Sequence, residues 1–158
     1  MEKTTQKSKE FIELCEKYEV DPDNVPEILS GYEAYKIRGL DRDKCCPDVS
    51  MFPDRHRKAL IALADLIIIH EAFNMDQETK ELYEPNWNDS HEEKWSYWFD
   101  MEKDKNNPSG FRFFDSYCDH SGTYSTGGSR LCNRNSDIAS FIGKHFENLF
   151  RVMMVLQS

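Results

Sequence analysis

The chain reads as an α+β protein: a small antiparallel sheet of about three strands packed against a buried central helix and a long C-terminal helix. Three observations carry that reading. Residues 50–73 hold Leu60, Ile61, Leu63, Leu66, Ile67 and Phe73 with so few polar breaks that the helix is apolar nearly all round, the mark of burial on most sides. Phe111 and Phe113 alternate with Arg112, as in a half-buried strand. Ile138, Phe141, Ile142, His145, Leu149, Val152, Met153 and Leu156 recur at three and four, one face of a helix over 135–157.

Taken in order, residues 6–20 place Phe11, Ile12, Leu14, Cys15 and Tyr18 on one helical face, and Asp21-Pro22 ends that helix. Pro26 suits the first turn of a second short helix running toward Tyr35. Gly39, Pro47 and Pro53 punctuate a loop, and residues 1–49 together form the N-terminal section. The central helix occupies 50–75, with Ser50 or Asp54 as its cap and Asn74 as its stop. Residues 76–109 are an acidic connector rich in aromatics (Trp87, Trp95, Tyr97, Trp98, Phe99), with one short strand at Lys94–Phe99. Its tryptophans are expected to pack down. Residues 110–132 supply the remaining strands: one through Phe113, a second from Thr123–Ser125, and Arg130–Cys132 either continuing it or starting a third. Asn135 or Ser136 caps the last helix. The whole, 1–158, is one domain, large enough to bury a core without staples.

Charge narrows the partners. The net charge is −9, and residues 76–104 alone carry 10 acids against 3 bases. A chain of that sign is not expected to bind nucleic acid directly, which needs clustered Lys and Arg. It leaves open an acidic face meeting a basic partner. The five cysteines form no even framework, and the opening MEKTTQKSKE lacks an apolar stretch. The longest apolar run, 59–69, is too short for a bilayer. A soluble cytoplasmic protein with reduced thiols is therefore expected.

Several segments in fixed order carry a resemblance: VPEI, PDVSMFPDRHRKALIALADLIIIHEAFN, EPNWNDSHEEKWSYWF, SGFRFF, GGSRLC and IASFIGKHFENLF. Together they resemble a family of small uncharacterised proteins encoded by phages, prophages and mobile elements of Bacteroides-type bacteria. The resemblance implies a phage or mobile-element setting, in the cytoplasm of a bacterial host, and supplies no activity.

The residues that offer chemistry beyond packing are Gly127, Gly128, Ser129 and Arg130. Adjacent glycines let backbone amides converge on an anion, and an arginine grips phosphate or carboxylate bidentately. The same stretch also reads as a glycine turn whose Arg130 pairs with an internal carboxylate. Trp95, Trp98 and Tyr124 are the aromatics expected to cover a ring. Cys118, His120 and Cys132 lack the paired spacing of a zinc site, so no metal is expected, and no cofactor fingerprint is present. His70-Glu71 reads as a satisfied polar pair and His145 as a core histidine.

The expected function is a non-enzymatic phage or mobile-element accessory protein that sequesters a small anionic, nucleotide-derived ligand and so inhibits antiphage defence. The alternative is an acidic module, centred on Glu84–Glu102, that blocks a host nucleic-acid-binding or defence protein. A small hydrolase without a recognisable motif is the third reading. A homo-oligomer is compatible with all three.

Overall fold

The computed structural model describes residues 7–118 and 128–156. It is an α+β fold built on one long helix. Helix α1 spans Lys9–Tyr18, α2 Gly31–Ile37, α3 Arg42–Cys45 and α4 Asp54–Asn74. Strands β1 (Trp95–Asp100) and β2 (Arg112–Cys118) follow, then α5 (Ser136–His145) and α6 (Glu147–Met154).

Short polar side chains set the helix starts. Ser8, Ser30 and Asn135 each accept a hydrogen bond from a backbone N–H in the first turn of α1, α2 and α5. The Asn135 carboxamide oxygen takes the Ile138 N–H at 2.8 Å. Asn135→Ala is therefore expected to cost about 1 kcal/mol in urea denaturation. An unchanged midpoint would mean that water caps the turn equally well. Helix α4 starts after Pro53 without a side-chain cap, so neither Ser50 nor Asp54 fills that role.

The core gathers on α4. Leu66, Ile69 and Phe73 meet Phe11 of α1 and Phe141 of α5 with almost no exposure. The all-round apolar pattern is matched from Ala62 onward, whereas the first turns of α4 stand largely exposed. Helix α2 lies along α4, and α2 and α3 are both tied to the Asp65 carboxylate of α4. Arg42 makes two hydrogen bonds to the buried Asp65 carboxylate, at 3.0 and 2.6 Å, and Tyr35 donates a third at 3.1 Å.

The sheet has two strands among the described residues, fewer than the three expected. Register runs antiparallel from Trp95 opposite Cys118 to Asp100 opposite Arg112, with a bulge between Trp98 and Phe99. The strand expected at Thr123–Ser125 lies outside the described residues. Ser129–Leu131 forms a 3-10 turn, and beyond it only Asn133 bridges to Trp95. An isolated bridge stands where the third strand was expected, and the chain enters α5 three residues later.

The expected long C-terminal helix is two helices, broken at Phe146 (φ −104°, ψ 20°). Two burial targets explain the break. Helix α5 turns Ile138, Phe141 and Ile142 into the core, while α6 turns Phe150 onto the rings of His70, Tyr97 and Phe99. The Glu147 carboxylate, in the first turn of α6, accepts the Phe113 N–H at 2.7 Å and ties the new helix to β2.

The acidic connector is folded around a buried lysine. Lys94 Nζ donates to the Asp89 and Glu92 carbonyls at 2.8 and 3.1 Å and lies 5.7 Å from the Trp87 ring centroid. Trp87 and Trp95 are half-buried, as expected of packing aromatics, but Trp98 is exposed.

Candidate functional site

The glycine–arginine loop lies against the C-terminal half of α4. Gly128 has φ 61°, a conformation that side chains other than glycine's adopt only under strain, and it leads into the Ser129–Leu131 turn. Arg130 is exposed there and makes no hydrogen bond or ion pair among the described residues. The reading in which Arg130 pairs with an internal carboxylate is thus not realised among them.

Ser129 and Arg130 border a cavity of about 350 Å³. Its floor is His70 and Asn74 of α4, and its far wall is the stretch from Leu82 to Pro85, including Tyr83 and Glu84. Glu71 is neutralised by Arg38 at 3.0 Å, whereas Glu84 is exposed. The Ser129 hydroxyl accepts the Trp87 indole N–H at 2.7 Å, which leaves its own proton free to donate. Arg134 bonds the Asn74 carbonyl and lies 5.8 Å from the Tyr83 ring centroid, adding a second cation beside the cavity.

The aromatic ring lining this cavity is therefore that of Tyr83, and Trp87 reaches it only through its hydrogen bond to Ser129. Trp95 turns its indole N–H to Glu93 at 3.1 Å, and Trp98 borders a separate groove. Gly127 and Tyr124 lie outside the described residues. Nothing in the spacing of ELYEPNW marked Tyr83, because no regular element holds it.

Beneath the cavity runs a buried polar chain that the sequence did not reveal. His70 Nδ1 lies 2.7 Å from the Leu66 carbonyl, which only accepts, so Nδ1 carries the proton. Nε2 is then an acceptor and takes the Tyr97 hydroxyl proton at 2.6 Å. The Tyr97 oxygen accepts from Asn133 Nδ2 at 2.7 Å, and Asn133 Oδ1 accepts from Asn74 Nδ2 at 2.9 Å. Asn74 Oδ1 in turn accepts the Arg134 N–H at 2.8 Å. His70 and Glu71 are each satisfied, but by different partners rather than by one another.

Burial sets the ionisation of this region. It lowers His70 to about 4, pushes the Cys132 thiol up to about 11, and raises Tyr83 and Tyr97. The buried Tyr83 hydroxyl makes no hydrogen bond of good geometry among the described residues, although Cys132 and Glu92 lie close enough to bear on its ionisation. None of the five cysteines is in a disulfide. No group of three His, Cys, Asp or Glu side chains converges among the described residues, and His120 lies outside them. None of the described helices is long and apolar enough to cross a membrane.

Fold and cavity together define an α+β protein with one arginine-edged polar cavity beside a buried hydrogen-bond chain. Comparison with protein-family models, with curated proteins and with solved structures yields no match.

Proposed function

We propose that the chain is a non-enzymatic binding protein of a phage or mobile element that sequesters a small anionic, nucleotide-derived ligand and thereby blunts an antiphage defence. The observation that carries this reading is Arg130 at the edge of the 350 Å³ cavity, with no hydrogen bond or ion pair among the described residues. Its guanidinium can take a phosphate in a bidentate grip, and the Ser129 hydroxyl can donate beside it. The cavity lies at the small end of ligand sites and suits one mononucleotide-sized guest. Tyr83 offers the ring face, and Glu84 offers an acceptor for an amino or hydroxyl group of that guest.

Binding is preferred to turnover on chemical grounds. His70 is neutral near pH 7 with both ring nitrogens engaged, so it is a poor general base. The Cys132 thiol, pushed up to about 11, stays protonated and weakly nucleophilic. The phage setting rests on the segment resemblance, and the defence target is read from that setting.

The test is denaturing mass spectrometry of the purified chain for a released small molecule, followed by titration with a panel of mono- and cyclic nucleotides. Wild type is expected to bind one such anion, and Arg130→Ala to lose affinity roughly tenfold or more, the loss of a charge-assisted pair. Unchanged affinity in that variant would remove the proposed mechanism.

A further inference from the structure

Most polar side chains that line the cavity are already engaged within the protein. His70 has both ring nitrogens occupied, by the Leu66 carbonyl and the Tyr97 hydroxyl. Asn74 donates from its amide to the His70 carbonyl and to Asn133 Oδ1, and its own oxygen accepts the Arg134 N–H. Glu71 is held by Arg38 at 3.0 Å. The Tyr83 hydroxyl is buried, so that residue shows a guest its ring and not its oxygen. The Cys132 thiol, pushed up to about 11, is neutral and a weak hydrogen-bonding group. Ile67, Leu82 and Pro85 are apolar.

Three lining side chains remain among the described residues, and they divide by sign. Ser129 and Arg130 donate on one side of the cavity. Glu84, on the far wall, only accepts, because a carboxylate has oxygens and no proton to give. Trp87 biases Ser129 toward donating, since its indole N–H already occupies the hydroxyl oxygen at 2.7 Å. A guest that satisfies all three is an anion at one end and a donor at the other. Charge sets the orientation: Arg130 attracts the phosphate and Glu84 repels it. Glu84 follows Tyr83 in the chain, so a base laid against the Tyr83 ring brings its edge toward that carboxylate.

The bases differ along that edge. Guanine presents two adjacent donors, N1–H and the N2 amino group, which match the two oxygens of one carboxylate. Adenine and cytosine each set one amino donor beside an acceptor nitrogen, which would face a carboxylate oxygen with no proton between them. Hypoxanthine keeps the N1–H and lacks the amino group. Resting on the nucleotide-binding reading above, we propose that the cavity selects a guanine nucleotide and that Glu84 reads its base. The phosphate sits on Ser129 and Arg130, and guanine donates twice to Glu84 across the Tyr83 ring.

The test is calorimetric titration of the full chain with guanosine, inosine and adenosine 5′-monophosphates. The guanosine nucleotide is expected to bind best and the inosine nucleotide about tenfold more weakly, the loss of one charge-assisted hydrogen bond. The adenosine nucleotide should be weaker still. Glu84→Gln places one acceptor and one donor on this exposed side chain, which match the adenine edge, so it should invert the order of guanosine and adenosine. Equal affinity of wild type for all three, lost in Arg130→Ala, would overturn the guanine assignment and leave the anion reading standing. An order that Glu84→Gln does not change would overturn the role of Glu84. Binding of none of the three, with no nucleotide released on denaturation, would remove the nucleotide reading itself and the guanine assignment with it.

Discussion

Gly143→Ala is expected to destabilise the protein by about 2–3 kcal/mol, against the usual sign of such a change. Inside an exposed helix, alanine is better than glycine by about 1 kcal/mol. Gly143 is instead buried in α5 where the helix crosses the sheet. A methyl group there would lie 2.3 and 2.4 Å from two ring carbons of Phe113, and 3.2 Å from a ring carbon of Tyr97. Carbon atoms in contact prefer about 3.5–4.0 Å, so something must move. The Phe113 backbone cannot easily do so: it pairs with Phe99 in the sheet, and its N–H is held by Glu147 at 2.7 Å. The ring would have to rotate out from beneath Lys144 and away from Phe99, losing its packing. Chemical denaturation checks the sign, and a higher midpoint for the alanine variant would refute the steric argument. In a double-mutant cycle, Phe113→Leu should relieve part of the penalty, so the two changes should be clearly non-additive.

That contact illustrates what the sequence revealed and what it hid. The α4 helix was legible because twelve apolar side chains in one stretch leave few alternatives to burial. Strand β1 was legible within a residue at each end, and β2 was legible from Phe111 and Phe113 alternating with Arg112, though its end at Cys118 was not. The break at Phe146 was not, since no proline or glycine stands there and the apolar spacing continues across it. Only the positions of the two surfaces, the core for Phe141 and the sheet for Phe150, require the turn. Gly143 looked like an ordinary helix member, because a close approach belongs to the neighbour's coordinates. The candidate site was half legible. Ser129 and Arg130 were found because a glycine-paired loop with arginine has chemistry that packing does not need. Tyr83, His70 and Asn74 were missed because each joins the site across more than forty residues of chain, a relation that periodicity does not carry.

Acidification from pH 7 to pH 4 is expected to remove about 3 kcal/mol of stability through His70. Its ordinary value of 6.5 falls to about 4 in the folded protein, and burial is the main cause. The unfolded chain therefore binds the proton first as pH drops, and stability declines between about 6.5 and 4. A difference of about 2.5 pH units, at about 1.4 kcal/mol each, sets the magnitude. The hydrogen-bond chain explains why no rearrangement rescues the charged form. Protonated Nε2 would become a donor facing the Tyr97 hydroxyl, whose oxygen already accepts from Asn133. Tyr97 would then be left with donors on both sides and no acceptor for its own proton. Other groups act in the same direction at lower pH. Backbone N–H groups and Arg112 hold Asp100 below its ordinary 3.8, and Asp48, Asp76 and Asp89 are lowered by backbone N–H groups as well. Folded pKa values below 3.8 make those carboxylates stabilising above that value, and their loss begins only where the His70 effect is nearly complete. Urea denaturation at several pH values between 7.5 and 4.5 separates the two windows. His70→Gln should be less stable than wild type at pH 7.5 and should show a much flatter decline to pH 4.5. An equally steep decline in that variant would place the acid sensitivity on another group.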